Sequence, residues 1–410
     1  MTSVPLLTAF QGEHFADPAS LARRLAPPYD VIGPSQRAVL SALDPANIVH
    51  VDLPLAPGGG DPYPVAAETL AVWRAAGTMV REATPSAYVL RTTTSLPDGS
   101  IRSRSGAFLA LSAESFSAGR VLPHEKTHAG PKEDRRRLMH ATGCNLSPVF
   151  VLAPDASGEL ASMLSDVVRT TPWARCEAIG ATQEVWIVAG TAAQQIANAA
   201  GVAPVYIADG HHRFETSVLF RDEATAVWRQ GAARTLAHVV SFQDPGLAIL
   251  PTHRIVQGAP LSGEAFLAAA QPYFTIVADV GEATLTVLLV DGAEVPLRLR
   301  PDADLSAVRD LPPHAAVRGL AVTLSDTLVI QGIAATLMRG VPALGYTADA
   351  AEARAAARGA RCAFAVLLPP TRLDEVRRVA DAGQVMPQKS TFFAPKIPTG
   401  VVIRRFDGEP

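Results

Sequence analysis

Tyr206-Ile207-Ala208-Asp209-Gly210-His211-His212-Arg213 concentrates more chemically capable residues than any other stretch of the chain. An apolar run from Val202 to Ala208 stops at a glycine and gives way to a polar, helix-permissive segment. This pattern predicts a strand over Tyr206 to Ala208, a tight turn, and a helix starting at His211. A helix start offers free backbone N–H groups and the positive end of the helix dipole, which together favour an anion. Asp209, Gly210, His211, His212 and Arg213 therefore read as a phosphate- or nucleotide-binding turn.

Lysine supplies a second signal. Only Lys126, Lys132, Lys389 and Lys396 break an otherwise arginine-only set of 36 Lys plus Arg residues. Lysine is a compact point charge that can follow a moving phosphoryl group, as the rigid fork of arginine does less well. His124-Glu125-Lys126-Thr127 places a titratable base, a carboxylate, a cation and a hydroxyl side by side. His124, Glu125 and Lys126 are thus candidate catalytic groups, and Asp30 is a rival base to Glu125. Met386 to Lys396 sets Lys389, Ser390 and Thr391 among prolines and phenylalanines, a composition suited to an anionic ligand on an apolar wall. Tyr29, held between Pro28 and Asp30, joins His253, Arg254 and Lys396 as candidate substrate-binding residues.

Metal ligation is not predicted. His211 and Glu215 are four apart and share a helix face, but no second His or Cys pair completes a zinc site. Mg²⁺ carried in with a nucleotide needs only one or two carboxylates, so it stays compatible with this sequence.

The elements that must position these residues follow from spacing. Helices are expected over Ser35 to Leu43, Val65 to Ala76, Lys132 to Ala141, Ser325 to Leu337, and from His211 through Arg229. Strands are expected over Asn47 to Leu53, Pro148 to Leu152, Glu184 to Ala189 and Cys362 to Leu368, with a hairpin turning at Pro97-Asp98-Gly99. Pro57 to Pro64, with three consecutive glycines, reads as a mobile loop and a lid. Pro251 to Arg254 reads as a short polar island. At 410 residues the chain has room for two domains, placed at 1–245 and 246–410.

Composition excludes several classes. Net charge is −3 and charged residues make up 18% of the chain, so no general field for nucleic acid exists. Met1 to Phe10 lacks the features of a secretory signal, and no apolar run is long enough to span a bilayer. Cys144, Cys176 and Cys362 share no ligand spacing and read as buried small hydrophobes in a reducing compartment. The expected location is cytoplasmic, without membrane or nucleic-acid partners. The oligomeric state is not legible.

Seven ordered motifs also carry a resemblance. APPYDVI (Ala26 to Ile32), HEKT (His124 to Thr127), Asp134-Arg135, NLSP (Asn145 to Pro148), YIADGHHRFET (Tyr206 to Thr216), LPTHR (Leu250 to Arg254) and MPQKSTFFAPK (Met386 to Lys396) resemble domain-of-unknown-function family 1015. The DGHHR turn is similar to the signature turn of the ParB/sulfiredoxin superfamily, where a strand–turn–helix with a terminal Arg cradles nucleotide phosphates. That resemblance implies a mixed α/β (α+β) fold: a ParB/sulfiredoxin-like nucleotide-binding core and a C-terminal α+β region whose last loop returns to the site. Sulfiredoxins carry a reactive Cys in this turn where this chain has His211 or His212, and ParB proteins append a DNA-binding helical domain that nothing in this sequence resembles. Free-serine kinases share the superfamily core and use ADP or ATP. The expected function is phosphoryl transfer from ATP or ADP, with or without Mg²⁺, to a small hydroxyl compound such as free serine. A nucleotide-binding regulatory module and a hydrolase of a small phosphoester remain the alternatives.

Overall fold

The computed structural model describes residues 4–127 and 130–407, and the start of the Met1 to Phe10 stretch lies outside them. Two compact units divide the chain. The first comprises Met1–Pro123, Thr127–Ala248 and Pro395–Pro410, and the second His124–Lys126 and Ile249–Ala394. Each unit includes a short segment distant in sequence from the rest of it, His124–Lys126 in the second and Pro395–Pro410 in the first.

The first unit is built on a nine-stranded mixed sheet. Its strands are β1 (Leu7–Thr8), β2 (Ser86–Ser95), β3 (Ile101–Ser112), β4 (Val121–Leu122), β5 (Val149–Ala153), β6 (Ala174–Ala178), β7 (Ala181–Ala189), β8 (Val205–Asp209) and β9 (Arg234–Ser241). They lie in the order β4-β8-β5-β9-β3-β2-β7-β6, with β1 on β3. VFVLA in β5 and VYIA, the first four residues of β8, are unbroken apolar runs because both of their faces are covered. On one face Val151, Leu109 and Val239 pack with Leu164, Ile196 and Phe214 into one core. The hairpin at 97–99 joins β2 to β3 in register, Ser95 opposite Ile101, as its turn chemistry predicts. The final segment pairs Arg404–Arg405 with Cys144–Asn145 and so holds the 395–407 strap in this unit.

The second unit contains a six-stranded antiparallel sheet. Its strands are β10 (His253–Val256), β11 (Phe274–Ile276), β12 (Leu285–Leu288), β13 (Glu294–Leu299), β14 (Leu344–Thr347) and β15 (Phe364–Leu367), in the order β11-β13-β12-β15-β10-β14. Val256, Val287, Phe364 and Val366 pack with Leu328 and Val329 into its main core.

Several sequence expectations are corrected. Asn47 to Leu53, expected as a strand, contains a helical turn over Val49–Asp52. The Asp44 and Asn47 side chains accept the N–H groups of Ala46 and Val49, and such local bonds favour a helix start over a ladder. The expected lid narrows, because a helix occupies Pro62–Ala75: the Asp61 side chain accepts the Tyr63 N–H, and Pro62 is tolerated in the first turn. The helix begun at His211 stops at Glu223, not Arg229, where Ala224 turns extended. The Pro251–Arg254 island is the entry to β10, an interior strand of the second sheet. The helix over Ser325–Leu337 is present, but wound as a π-helix across Ser325–Ala334. Cys176 is only partly buried, whereas Cys144 and Cys362 are buried; all three are free thiols. No helix among the described residues is long and apolar enough to cross a membrane.

Candidate functional site

In the first unit, β8 ends at Asp209 and a helix, α1, spans His211–Glu223. Ile207 pairs with Val151 but Asp209 with Phe150, so a bulge at Ala208 re-aims the last strand residue. Gly210 links the two elements with φ 88°, a left-handed conformation. A Cβ there would also meet the Arg213 guanidinium carbon at 2.9 Å. The conformation favours glycine, and any side chain there would also press on the guanidinium folded beneath it.

Arg213 turns inward. It is 9% exposed, donates Nη1–H to the Pro148 carbonyl, and places Nη2 3.6 Å from Asp209 Oδ1. The other Asp209 oxygen accepts from Lys396 Nζ at 2.8 Å, and the Gly210 N–H donates to Oδ1 at 2.7 Å. Burial opposes the charge on Asp209, but Lys396, Arg213 and His211 outweigh it and hold its pKa well below the ordinary carboxylate range. This contribution to stability is present above the unfolded pKa of about 4 and is lost only as pH falls toward the depressed folded value.

Behind Arg213 lies a second charged group. Asp52 is buried and receives Arg135 Nη1 at 3.0 Å and Ser147 Oγ at 3.0 and 3.1 Å. Burial raises its pKa against the pull of Arg135, Ser147 and Arg213. The Arg135 guanidinium carbon sits 4.0 Å from the centroid of the Tyr29 ring. Burial likewise raises the Tyr29 hydroxyl; Arg213 and Arg135 lower it, and Asp30 and Asp52 raise it. Tyr29 and Asp30 therefore share one electrostatic neighbourhood with Arg213. Among the described residues the exposed Asp30 carboxylate makes no hydrogen bond or ion pair. A cavity of about 30 Å³ between Asp52, Arg135, Ser147 and Arg213 has room for a water, not for a nucleotide. At the turn itself Asp209, His212 and Lys396 are each partly exposed.

In the second unit the two other lysine-bearing motifs come together. Glu125 bridges Met386 in parallel, and the Met386 and Lys126 N–H groups donate to the His124 and Met386 carbonyls. Buried His124 Nε2 lies 2.9 Å from Thr391 Oγ1. Glu125 Oε2 accepts the Ser390 N–H at 3.2 Å, and Ser390 Oγ donates to the Pro387 carbonyl at 2.6 Å. Lys126 and Lys389 are exposed, and Lys389 holds a left-handed φ of 58°.

His253 and Arg254, expected to bind substrate, lie in the second unit, with Arg254 turned into its interior. Arg254 has no exposed surface and pairs with Asp326 at 2.9 and 3.2 Å, and it also donates to the carbonyls of Thr252 and Lys389. His253 Nδ1 accepts the Leu368 N–H at 3.1 Å; burial, Arg354 and Arg254 lower its pKa to about 4. Asp52 and Asp326 were missed by sequence reasoning. Asp326 carries a legible signal, as a lone carboxylate in the apolar helical run Ser325 to Leu337. Asp52, ending a short apolar run, carries none.

No curated protein matches the chain. Among solved structures, a conserved hypothetical protein from Pyrococcus furiosus is 13% identical with a TM-score of 0.37, covering 73% of this chain and 95% of its own. A mutant free serine kinase in complex with ADP is 12% identical with a TM-score of 0.37, covering 72% and 92%. SbnI from Staphylococcus aureus, truncated at its C-terminus, is 11% identical with a TM-score of 0.38, covering 72% and 87%. Likeness at this level carries no argument about activity. The motifs and a match across residues 7–323 agree: the chain belongs to the family described as a protein of unknown function, DUF1015.

Proposed function

We propose that the protein transfers a phosphoryl group from ATP or ADP to the hydroxyl of a small compound, free serine being one candidate acceptor. The observation that carries this reading is the β8–α1 turn, where a helix start, a left-handed glycine and the Lys396–Asp209–Arg213 group coincide. The first-turn N–H groups and dipole of α1 would bind phosphate oxygens. Lys396, a point charge on a flexible stem, would move from Asp209 toward the oxygens of the transferring group. Arg213, fixed beneath Gly210, would hold the turn's shape and add positive field. Asp209, kept anionic, would be the residue to hold a Mg²⁺ brought in with the nucleotide, which would supply neutralisation of phosphate charge.

Asp30 is the base we assign. Its carboxylate is unencumbered and shares the field of Arg213 through Tyr29. The acceptor hydroxyl would pass its proton to Asp30 as its oxygen forms the new bond to phosphorus. The bridging bond of the nucleotide would break, and the leaving nucleotide would carry the charge. Tyr29, whose hydroxyl stays protonated, can donate a hydrogen bond to the acceptor. Glu125 is the rival base; its engagement with the Ser390 N–H supports a loop-holding role instead.

A nucleotide panel read by thermal shift tests the binding half of this proposal. ADP or ATP at about 100 times its dissociation constant should add about 2.7 kcal/mol. Lys396→Met should weaken that nucleotide by about 1.5–3 kcal/mol, the worth of a charge-assisted contact. Stabilisation by no nucleotide at all would overturn the reading.

A further inference from the structure

The second unit holds a cavity of about 220 Å³ that is separate from the Arg254–Asp326 pair. Its floor is one face of the six-stranded sheet. Thr286 stands opposite Leu367, and since Arg254 pairs with Val366, His253 is the next residue across on the same face. Adjacent strand residues point to opposite faces, so His253 looks away from buried Arg254 and into this cavity. Glu294 and Arg354, paired at 2.8 and 3.1 Å, line its rim, and Leu367 and Leu368 give it an apolar wall.

Two atoms here are poised without partners. His253 and Thr286 are each 4% exposed. His253 uses the Nδ1 lone pair to accept the Leu368 N–H, so the neutral ring carries its proton on Nε2. Among the described residues neither that Nε2–H nor Thr286 Oγ1 has a protein hydrogen-bond partner, and both residues line the open space. Two polar atoms that converge on one cavity beside an apolar wall are the arrangement that fixes the orientation of a small ligand. The lining is net neutral: a neutral histidine, a hydroxyl, and one Arg–Glu pair. A neutral molecule with separated charges matches it better than an anion or a cation.

We infer that this cavity binds a small zwitterionic α-amino acid with an aliphatic side chain. Its carboxylate would accept from His253 Nε2–H, Thr286 Oγ–H and the free edge of Arg354. Its ammonium would face Glu294, and its side chain would lie on Leu367 and Leu368. The cavity has the capacity of about seven waters, which suits a molecule of about eight or nine non-hydrogen atoms such as valine or leucine.

Calorimetric titration of the full chain with L-valine and L-leucine tests this, with isovalerate, which lacks the ammonium group, as the control probe. Saturable binding of at least one of the two amino acids is expected, with isovalerate weaker by about tenfold or more. Thr286→Val, which keeps the side-chain shape, should weaken the amino acid by about tenfold. Glu294→Gln should narrow the gap between amino acid and isovalerate. No binding of either amino acid, equal affinity for isovalerate, or unchanged affinity in Thr286→Val each overturns the assignment. Because the readout is binding of an amino acid without nucleotide, and Thr286 has no part in the β8–α1 turn, the result is independent of the proposed phosphoryl transfer.

Discussion

Replacing Asp30 by Asn should lower turnover by about 10²–10⁴-fold while nucleotide affinity stays near that of the parent, the usual share of a general base in catalysis. The substitution keeps the side-chain shape and removes only the ability to take the acceptor's proton. Asp30 is exposed, so its change disturbs no core packing. Its link to the phosphate turn is electrostatic: Asp30 and Arg213 act with opposite sign on Tyr29. Glu125→Gln is the matched control, since a Gln oxygen can still accept the Ser390 N–H. A normal rate in Glu125→Gln beside a slow Asp30→Asn assigns the base to Asp30. The reverse pattern moves it to Glu125. Kinetics of both variants with nucleotide at saturating concentration decide the matter.

The largest effect on stability is expected from Arg254→Ala, with a loss of about 3–5 kcal/mol in the unfolding of the second unit. The guanidinium is fully buried and serves Asp326 through two bonds and two backbone carbonyls through two more. Its removal strands the Asp326 carboxylate and the carbonyls of Thr252 and Lys389 in a site that water enters poorly. The Lys389 carbonyl matters further because Lys389 sits in a left-handed conformation that its surroundings must sustain. Replacing both partners with apolar residues, as in Arg254→Met with Asp326→Leu, should recover much of the loss, because no unpaired charge then remains. Urea midpoints of the single and double variants measure this directly. A single variant as stable as the parent would show that the pair adds nothing.

The turn itself was legible in sequence because its information is local. An apolar strand run, one glycine and a polar run fix Val205–Asp209 and the start of a helix at His211 without help from distant residues. What the sequence does not reveal is where the charged side chains go. Arg213 advertises a cation, but its inward course depends on the Pro148 carbonyl, 65 residues away in the chain. Lys396 stands out by the rarity of lysine, but its partner Asp209 is 187 residues distant. Asp52 escaped notice because the stretch around it alternates like a strand, whereas local bonds from the Asp44 and Asn47 side chains to nearby N–H groups favour a turn of helix instead. His253 and Arg254 are adjacent in sequence and looked like one functional island. Placed in an interior strand, they face opposite ways and serve different surroundings.

The most direct test of phosphoryl transfer is ³¹P NMR of the intact protein with ADP or ATP and a panel of small hydroxyl compounds that includes free serine. The account predicts a new phosphomonoester signal that appears only with an acceptor and grows one-for-one with loss of the donor nucleotide. A nucleotide that binds but is never consumed, or one that releases inorganic phosphate at the same rate without any acceptor, would contradict it.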